Sequence, residues 1–193
     1  MRRTHDFYET APWQVDALVD FLPDVRGTIW CPCVGDGSLM RRLMARRPDL
    51  SFVTNDIDHT KAADFHLDAT RNATWEHMVT HRGRPDWVID NFPFNVEHRI
   101  LPHAIQCATE GLVAMARVSY AEPTKDRGPW LRDHPYRKRI TLERYSFTGN
   151  GSTDSATTDW LVWAKGPIMP PFGISAFGYR DGSAQRQKDR GAA

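Results

Sequence analysis

The segment Asn91-Phe92-Pro93-Phe94 places a side-chain amide, a backbone carbonyl and an aromatic ring directly after the apolar run 86–90. The amide oxygen of Asn91 can accept one N–H of a planar exocyclic amine, and the backbone carbonyl of Phe92 can accept the other. The ring of Phe94 can stack on the heterocycle that carries the amine. Two acceptors draw the nitrogen toward tetrahedral geometry, so these residues predict a site that prepares an amine for nucleophilic attack. An Asn-x-Pro sequence is also common in turns, which is the structural alternative.

A glycine turn forms a second candidate site. The short apolar run 28–30 leads into a turn with Pro32, Gly35 and Gly37, and an amphipathic helical pattern follows. A strand, a glycine turn and a helix bring backbone close to a nucleotide-like ligand, because glycine permits both the turn and the close approach. Two glycines are too few to favour phosphate binding of the dinucleotide type. An ordinary strand–helix turn is the alternative.

Two acids follow the next apolar segment. Residues 51–58 read as a second strand that ends with Asp56 and Asp58. An acid at the carboxyl end of the second strand lies where a nucleoside presents its ribose hydroxyls. Asp56 is therefore predicted to make that bidentate contact, with Asp58 as the second candidate. Single aspartates are also common as turn or helix-cap residues.

Two of these segments resemble a known class of enzyme. Residues 91–94 resemble the Asn/Asp-Pro-Pro-Tyr/Phe signature of amino-methyltransferases, above all the DNA adenine-N6 methyltransferases, with Phe92 in place of the first proline. Residues 31–37 resemble the S-adenosylmethionine loop of methyltransferases in its Pro-Cys-x-Gly-Asp-Gly version. Cys31 stands where that family usually has Asp or Glu.

A third segment extends the resemblance toward the N-terminus. Residues 7–12 resemble the Phe/Tyr-x-Thr-Pro segment that precedes the cofactor loop, with Ala11 interrupting Thr-Pro. A plain helix N-cap at Thr10, with Pro12 in the first turn, fits the same residues. The order of segments over residues 5–168 is similar to that of class I S-adenosylmethionine-dependent methyltransferases of the adenine-N6 type.

The resemblance implies S-adenosyl-L-methionine as cofactor. It implies that Asp68 binds the amino group of the cofactor's adenine. It also implies that the segment around Thr10 closes over the methionine end of the cofactor. The residues predicted to bind the cofactor are Tyr8, Thr10, Cys31, Pro32, Gly35, Gly37, Asp56, Asp68 and Asn91. The predicted catalytic residues are Asn91, Phe92, Pro93 and Phe94.

A basic segment follows in the second half of the chain. Between residues 117 and 144, eight basic residues stand against four acidic ones, a net charge of +4, with aromatic residues and prolines among them. Such a segment suits a phosphate backbone and an unstacked base, and a solvated loop with ion pairs is the alternative. The residues predicted to bind the substrate are Tyr120, Lys125, Arg127, Arg137 and Lys138. The stretch 120–125 and the Asp-Trp-Leu-Val-Trp strand near the end are similar to phage and prophage adenine methyltransferases.

The hydrophobic patterns predict an α/β fold. The patterns indicate a mostly parallel sheet with an antiparallel C-terminal hairpin, and the resemblance implies that this is a Rossmann-like class I methyltransferase sheet with helices on both faces. A helix is predicted over Val96–Cys107 and a buried strand over Gly111–Val118. The hairpin strands are predicted over Arg139–Phe147 and Asp159–Ala164.

Composition limits the class of protein. Hydrophobic residues make up 40 % and charged residues 25 % of 193 residues, with a net charge of +1, as in a soluble globular protein. One methyltransferase domain is expected over residues 1–170, with a polar, flexible tail over 171–193. The start of the chain lacks a signal-peptide pattern and no apolar run reaches bilayer length, so a cytoplasmic protein without a membrane partner is expected. Cys31, Cys33 and Cys107 lack zinc-ligand spacing, and no metal is expected.

The predicted function is transfer of a methyl group to the exocyclic N6 amine of adenine in DNA, with the target base flipped out of the duplex. Several alternatives stay open. The target could instead be the N4 amine of cytosine in DNA, an adenine in RNA or a glutamine amide in a protein, because each presents a planar NH2 group that fits the same acceptors. A non-catalytic nucleic-acid or cofactor-binding module with the same fold is a further alternative. Substrate recognition is expected from the loops 118–139 and 148–158 or from the N-terminal segment.

Overall fold

Strands and helices alternate along the first part of the chain, up to β4. The computed structural model describes residues 9–22, 24–125, 127–143, 157–166, 174–178 and 184–186. The helices are α1 (Pro12–Phe21), α2 (Ser38–Arg46), α3 (Asn72–Arg82), α4 (Glu97–Cys107) and α5 (Gly128–Asp133), with a 3-10 turn over Val118–Ala121. The strands are β1 (Thr28–Cys31), β2 (Ser51–Thr54), β3 (Trp87–Asp90), β4 (Gly111–Arg117), β5 (Lys138–Leu142), β6 (Thr158–Ala164), β7 (Ile174–Gly178) and β8 (Ala184–Arg186).

The strands form one sheet in the order β2-β1-β3-β4-β6-β5-β7-β8. Strands β1 to β4 are parallel, and β6 is antiparallel to both β4 and β5. The predicted mainly parallel α/β sheet with an antiparallel C-terminal pair is therefore confirmed. Strand β2 lies on one side of β1 in the sheet, and β3, which comes later in the chain, lies on the other side of β1. The carboxyl ends of β1 and β3 thus border the crevice in which open α/β sheets bind ligands.

Helices cover both faces of the sheet, so consecutive residues inside β1 and β3 are apolar, rather than alternate ones only. Ile29 and Ile89 belong to the core on the α1 and α2 side. Trp30 and Val88 belong to the core on the α3 and α4 side. This continuous burial fixes the ends of β1 and β3, and with them the loops that follow.

The predicted elements agree with the observed ones to within a few residues where the chain is described. Helix α4 begins one residue later than predicted because the Pro93 carbonyl accepts the N–H groups of both Val96 and Glu97, at 3.0 Å each. Strand β4 ends at Arg117, since Val118 already belongs to the 3-10 turn. Most of the predicted 148–158 loop lies outside the described residues.

The predicted flexible tail contains two strands. Strand β7 pairs in parallel with β5, and β8 pairs with β7 in antiparallel fashion. The few apolar residues of β7 occur among glycines and prolines, a composition that does not predict a strand. Among the helices that the structure describes, none combines the length and apolar character of a membrane-spanning segment.

Candidate active site

The glycine turn and the Asn91 segment lie side by side at the carboxyl ends of two neighbouring parallel strands, β1 and β3. The backbone N–H of Cys33, in the glycine turn, donates to Oδ2 of Asp90 at 2.6 Å. Asp90 is the residue directly before Asn91. The two segments predicted to bind the cofactor and to hold the amine therefore border the same crevice.

The glycine turn has the backbone conformation that glycine favours. Gly35 has φ of +59° and Gly37 has φ of +78°, both in the left-handed region. The N–H of Gly35 donates to Oδ2 of Asp56 at 2.8 Å, and α2 begins directly after Gly37. The acid at the end of β2 thus fixes the turn that follows β1.

Asn55 is a site residue that sequence reasoning missed. Its side chain is fully buried, and its Nδ2 donates to the carbonyls of Pro32 at 2.8 Å and Leu67 at 3.0 Å. Its Oδ1 accepts the N–H of Leu67 at 2.9 Å. One amide therefore joins the glycine turn, the end of β2 and the segment before Asp68. The available signal was an amide directly after a buried strand.

Asp56 keeps hydrogen-bonding capacity beyond its contacts within the chain. Its Oδ1 accepts the N–H of Asp58 at 2.9 Å, and its Oδ2 accepts the Gly35 N–H. An ionised carboxylate has about four acceptor sites, so each oxygen can accept a further donor. Asp58 itself accepts the N–H and Oγ1–H of Thr60 at 2.9 and 2.8 Å, which is the turn role given above as the alternative.

Asp68 lies in a turn before α3. Its Oδ1 accepts from the N–H and the hydroxyl of Thr70, at 2.9 and 2.7 Å, and its Oδ2 forms an ion pair with Arg71 at 3.2 Å. The hydrogen bonds from Thr70, and then the charge of Arg71, lower the pKa of Asp68. Its carboxylate therefore stays ionised, and its place in cofactor binding remains a prediction.

Three acids lie near Cys33: Asp90 at the end of β3, Asp56 shortly after β2, and Asp68 in the turn before α3. Burial first, and then the charges of Asp90, Asp56 and Asp68, raise the pKa of the Cys33 thiol well above its ordinary value. The thiol is therefore neutral. The acids beside the glycine turn suit the hydroxyl and amino donors of a nucleoside better than a phosphate.

Cys31 requires a correction of the sequence-based prediction. Its side chain is 1 % exposed and packs in the core on the α1 and α2 side. Burial, followed by the charge of Asp90, raises the pKa of its thiol. The thiol is directed into the core, and Cys31 contributes to the turn through its carbonyl, which accepts the Asn55 N–H at 3.0 Å.

The Asn91 side chain contacts the N-terminal segment. Its Nδ2 donates to Oγ1 of Thr10 at 3.2 Å, and Thr10 is buried. Helix α1 begins at Pro12, and Oε1 of Gln14 accepts the N–H of Ala11 at 2.8 Å at its start. The N-cap alternative for Thr10 is thus incorrect, since the cap position is Ala11. Tyr8, the other residue predicted in this segment, lies outside the described residues.

The two phenylalanines of the Asn91 segment have different environments. Phe92 is 1 % exposed and packs in the core on the α3 and α4 side, which accounts for a large apolar residue at this position. Phe94 is half-buried, and the guanidinium of Arg117, at the end of β4, lies 5.0 Å from the centre of its ring. A cation over the ring face helps to fix the ring's orientation.

Asp90 is the second site residue that sequence reasoning missed. It is 2 % exposed, and its Oδ1 accepts the N–H of Asn91 at 2.9 Å while its Oδ2 accepts the N–H of Cys33. Burial raises the pKa of its carboxyl to about 7, although both hydrogen bonds act in the opposite direction. The signal in the sequence was a carboxylate at the last position of an otherwise apolar strand.

The fold divides the basic segment between two edges of the sheet. The part that follows β4 lies at the crevice edge. It contains exposed Lys125 and the buried ring of Tyr120, with the Arg127 guanidinium 4.9 Å from the ring centre. Arg127 also donates to the Ser119 carbonyl at 3.0 Å. The buried ring of Tyr120 therefore packs against Arg127, and its predicted part in substrate binding stays a prediction.

Arg137 and Lys138 lie elsewhere, and their predicted substrate contacts are corrected. Arg137 precedes β5 and donates to the Gly166 carbonyl at 3.3 Å, at the edge of the sheet opposite the crevice. Lys138 is 2 % exposed, and its ammonium donates to the carbonyl of Phe21. Strand register, rather than charge, determines these positions. In the described part of the chain, no three His, Cys, Asp or Glu side chains form a potential metal site.

The chain has the Rossmann-like fold of solved methyltransferases, among which is one described as a class I S-adenosylmethionine-dependent methyltransferase. The sequence matches no protein-family model and no curated protein sequence. The similarity to known proteins is therefore one of three-dimensional structure.

Three solved structures illustrate the similarity. A methyltransferase subunit of a type I restriction-modification system from Streptococcus thermophilus superposes with a TM-score of 0.61 and 12 % identity, over 82 % of this chain and 44 % of that chain. The M protein of the type I restriction enzyme EcoKI superposes with a TM-score of 0.59 and 14 % identity, over 86 % of this chain and 46 % of that chain. The rRNA methyltransferase AviRa from Streptomyces viridochromogenes superposes with a TM-score of 0.51 and 13 % identity, over 81 % of this chain and 86 % of that chain. This chain thus spans less than half the length of the two restriction proteins.

Proposed function

We propose that the protein is an S-adenosylmethionine-dependent methyltransferase that methylates the exocyclic N6 amine of adenine in DNA. The observation that carries the proposal is the position of Asn91, at the end of β3 and beside the glycine turn of β1. An amine acceptor and a candidate cofactor turn share one crevice at the point where the chain reverses its course through the sheet.

The residues around the crevice fit the cofactor. Asp56 has acceptor sites that remain for a ribose, and the ionised Asp68 can accept from an adenine amino group. Gly35 and Gly37 have no side chains to keep a ligand from the backbone. Thr10 lies beside the crevice, where its hydroxyl contacts Asn91. When bound, S-adenosylmethionine supplies an electrophilic methyl group on a positively charged sulfur.

The chain's own part in the reaction is to hold the amine. Asn91 Oδ1 and the Phe92 carbonyl each accept one N–H, and the ring of Phe94 stacks on the base. The hydrogen bond from Asn91 Nδ2 to Thr10 fixes which edge of the amide carries Oδ1. Positioning of this kind can supply much of the rate enhancement of a bimolecular reaction.

Bond making and proton loss follow in that order. With S-adenosylmethionine held by the glycine turn, Asp56 and Asp68, its methyl group would be the electrophile for the N6 lone pair, and its sulfur would keep the electrons of the broken bond to carbon. The nitrogen is then cationic, and one of its two protons leaves to water. No strong base is required before transfer, because the acceptors act on the neutral amine.

The basic residues at the crevice edge support a nucleic-acid substrate. Lys125 is exposed, and Arg117 and Arg127 are half-buried, all after the carboxyl end of β4. These side chains can contact phosphates on either side of a flipped nucleotide, whose base then reaches Phe94. Arg137 and Lys138 are not part of this surface.

The test measures transfer of labelled methyl groups to unmethylated duplex DNA, followed by digestion and identification of the methylated nucleoside. We expect N6-methyladenine with the wild-type protein and none with Asn91→Ala. The matched control is Asn95→Ala, which makes the same change at an exposed residue four positions further on. Asn95→Ala is expected to retain wild-type activity.

The same assay separates the alternatives. Label in N4-methylcytosine, in RNA or in protein, instead of N6-methyladenine, would replace the proposed substrate but keep the methyltransferase activity. Cofactor binding without transfer to any of these acceptors would identify a binding module. The absence of cofactor binding by the wild-type protein would contradict the proposal as a whole.

A further inference from the structure

Asp86 lies directly before β3 and Asp90 is its last residue, and each of these aspartates accepts a hydrogen bond from β1 or from the turn after β1. At the amino end, Oδ2 of Asp86 accepts the N–H of Thr28 at 2.7 Å. At the carboxyl end, Oδ2 of Asp90 accepts the N–H of Cys33 at 2.6 Å. The two contacts are similar in chemistry but lie at opposite edges of the sheet, and only the second lies at the crevice.

Asp90 differs from Asp86 in its second contact and in its burial. The other carboxylate oxygen of Asp90 accepts the N–H of Asn91 at 2.9 Å, and Asp90 is only 2 % exposed. A buried carboxylate is costly unless its hydrogen bonds compensate for lost hydration. Both oxygens of Asp90 are used for backbone N–H groups of different loops, one in the glycine turn and one in the amine-binding segment.

We infer that Asp90 is a positioning residue that fixes the distance between the cofactor turn and Asn91 by accepting one backbone N–H from each. The inference rests on the proposed methyltransferase function. Cys33 lies two residues before Gly35, and Asn91 carries the amide that accepts the amine. A shift of either loop changes the separation of the methyl donor and the amine, on which transfer in line depends.

The isosteric variant Asp90→Asn tests this role. Its carboxamide can accept from one of the two N–H groups, but its NH2 group faces the other N–H and leaves that donor without an acceptor. We expect kcat/KM for S-adenosylmethionine to fall about ten- to hundredfold, with a rise in KM as well as a fall in kcat. The matched control, Asp86→Asn, removes an acceptor from β1 at the opposite edge, and we expect its kinetic constants within about twofold of the wild type.

A pH profile distinguishes positioning from a general effect on the fold. The ionised form of Asp90 accepts both N–H groups well, whereas the protonated form carries a donor in the same place. The titratable groups that face it are the thiols of Cys31 and Cys33 and the carboxylate of Asp56. We expect kcat/KM of the wild type to rise with an ionisation near pH 7, and the profile of Asp90→Asn to lack this step.

The outcomes separate the inference from the proposed function. If wild-type protein transfers no methyl group, the proposed function fails. If the wild type is active and Asp90→Asn is folded and behaves like Asp86→Asn, the inference is overturned. If Asp90→Asn does not fold, the wild-type profile decides. A step near pH 7 supports the role of Asp90, and a flat profile from pH 6 to 8.5 overturns it.

Discussion

Oγ1 of Thr10 accepts a hydrogen bond from Nδ2 of Asn91 at 3.2 Å, between residues that are 81 positions apart in the chain. The contact brings the segment before α1 onto the residue that is proposed to hold the target amine. It also orients the Asn91 amide, because Nδ2 faces the threonine. Thr10 therefore acts on the proposed reaction through Asn91.

Replacement of Thr10 by valine keeps the shape of the side chain and removes its hydroxyl. We expect Thr10→Val to lower kcat for DNA methylation by about tenfold, since the Asn91 amide loses the contact that orients it. Thr10→Ser should restore most of the activity. Thr80→Val, which removes a hydroxyl bonded to the Glu76 carbonyl on α3, is the matched control. Equal activity of the Thr10→Val and Thr80→Val proteins would contradict this assignment.

The raised pKa of Asp90 predicts a particular pH dependence of stability. The pKa is about 7 in the folded protein, above the ordinary value of 3.8, so the folded state binds this proton more tightly than the unfolded state. The stability from this group is complete below about pH 4 and is lost as the pH rises to about 7, at up to about 1.4 kcal/mol per pH unit. Urea unfolding of the wild type and of Asp90→Asn from pH 4.5 to 8 measures this loss of stability. A stability difference that does not change with pH would refute this expectation.

Much of the fold was predictable because buried parallel strands are continuous apolar runs. The segments 87–90 and 111–117 are of this kind, and their positions follow from composition alone. The ends of elements were less predictable, since they depend on single contacts such as the Pro93 carbonyl at the start of α4. Strand β7 was missed because its few apolar residues occur among many glycines and prolines.

The candidate site was predictable where a residue type is itself specific. Asn91, Gly35 and Gly37 could be recognised by type and spacing. The roles of Asp90 and Asn55 could not, because their partners are backbone groups 57 and 23 residues away that only the folded sheet brings near. The same reason explains the errors at Arg137 and Lys138, whose positions depend on the register of β5.

The division of the basic segment predicts different effects for two lysines. Lys125→Met should weaken DNA binding and reduce the slope of log K against log salt by about one, because an exposed phosphate contact is lost. Lys138→Met should leave DNA binding unchanged but lower the free energy of unfolding by about 1–3 kcal/mol, because the Phe21 carbonyl loses its buried donor. Filter binding at several salt concentrations and urea unfolding measure the two effects. The opposite pattern would place Lys138 at the DNA surface.

The burial of Cys31 predicts that an acid is not tolerated there, although the methyltransferase loop that residues 31–37 resemble usually carries one. Cys31→Asp should be less stable than Cys31→Ala by more than about 2 kcal/mol, because a carboxylate at this position enters the apolar core. Thermal unfolding of both variants provides the comparison. If Cys31→Asp were as stable as Cys31→Ala and bound the cofactor more tightly, the side chain would have to face the crevice instead.

The packing of Phe92 leads to a last prediction, since a proline here would complete the Asn-Pro-Pro-Phe pattern. Phe92→Pro should lower the free energy of unfolding by about 3 kcal/mol, because the ring is 1 % exposed among the core residues on the α3 and α4 side. Phe92→Leu should cost about 1 kcal/mol and keep methylation activity, since the backbone carbonyl remains in place. Urea unfolding, together with the methylation assay, tests both variants. A Phe92→Pro protein as stable as the wild type would show that the ring does not stabilise this loop. Loss of activity in a stable Phe92→Leu protein would assign the aromatic ring, rather than the carbonyl, to the reaction.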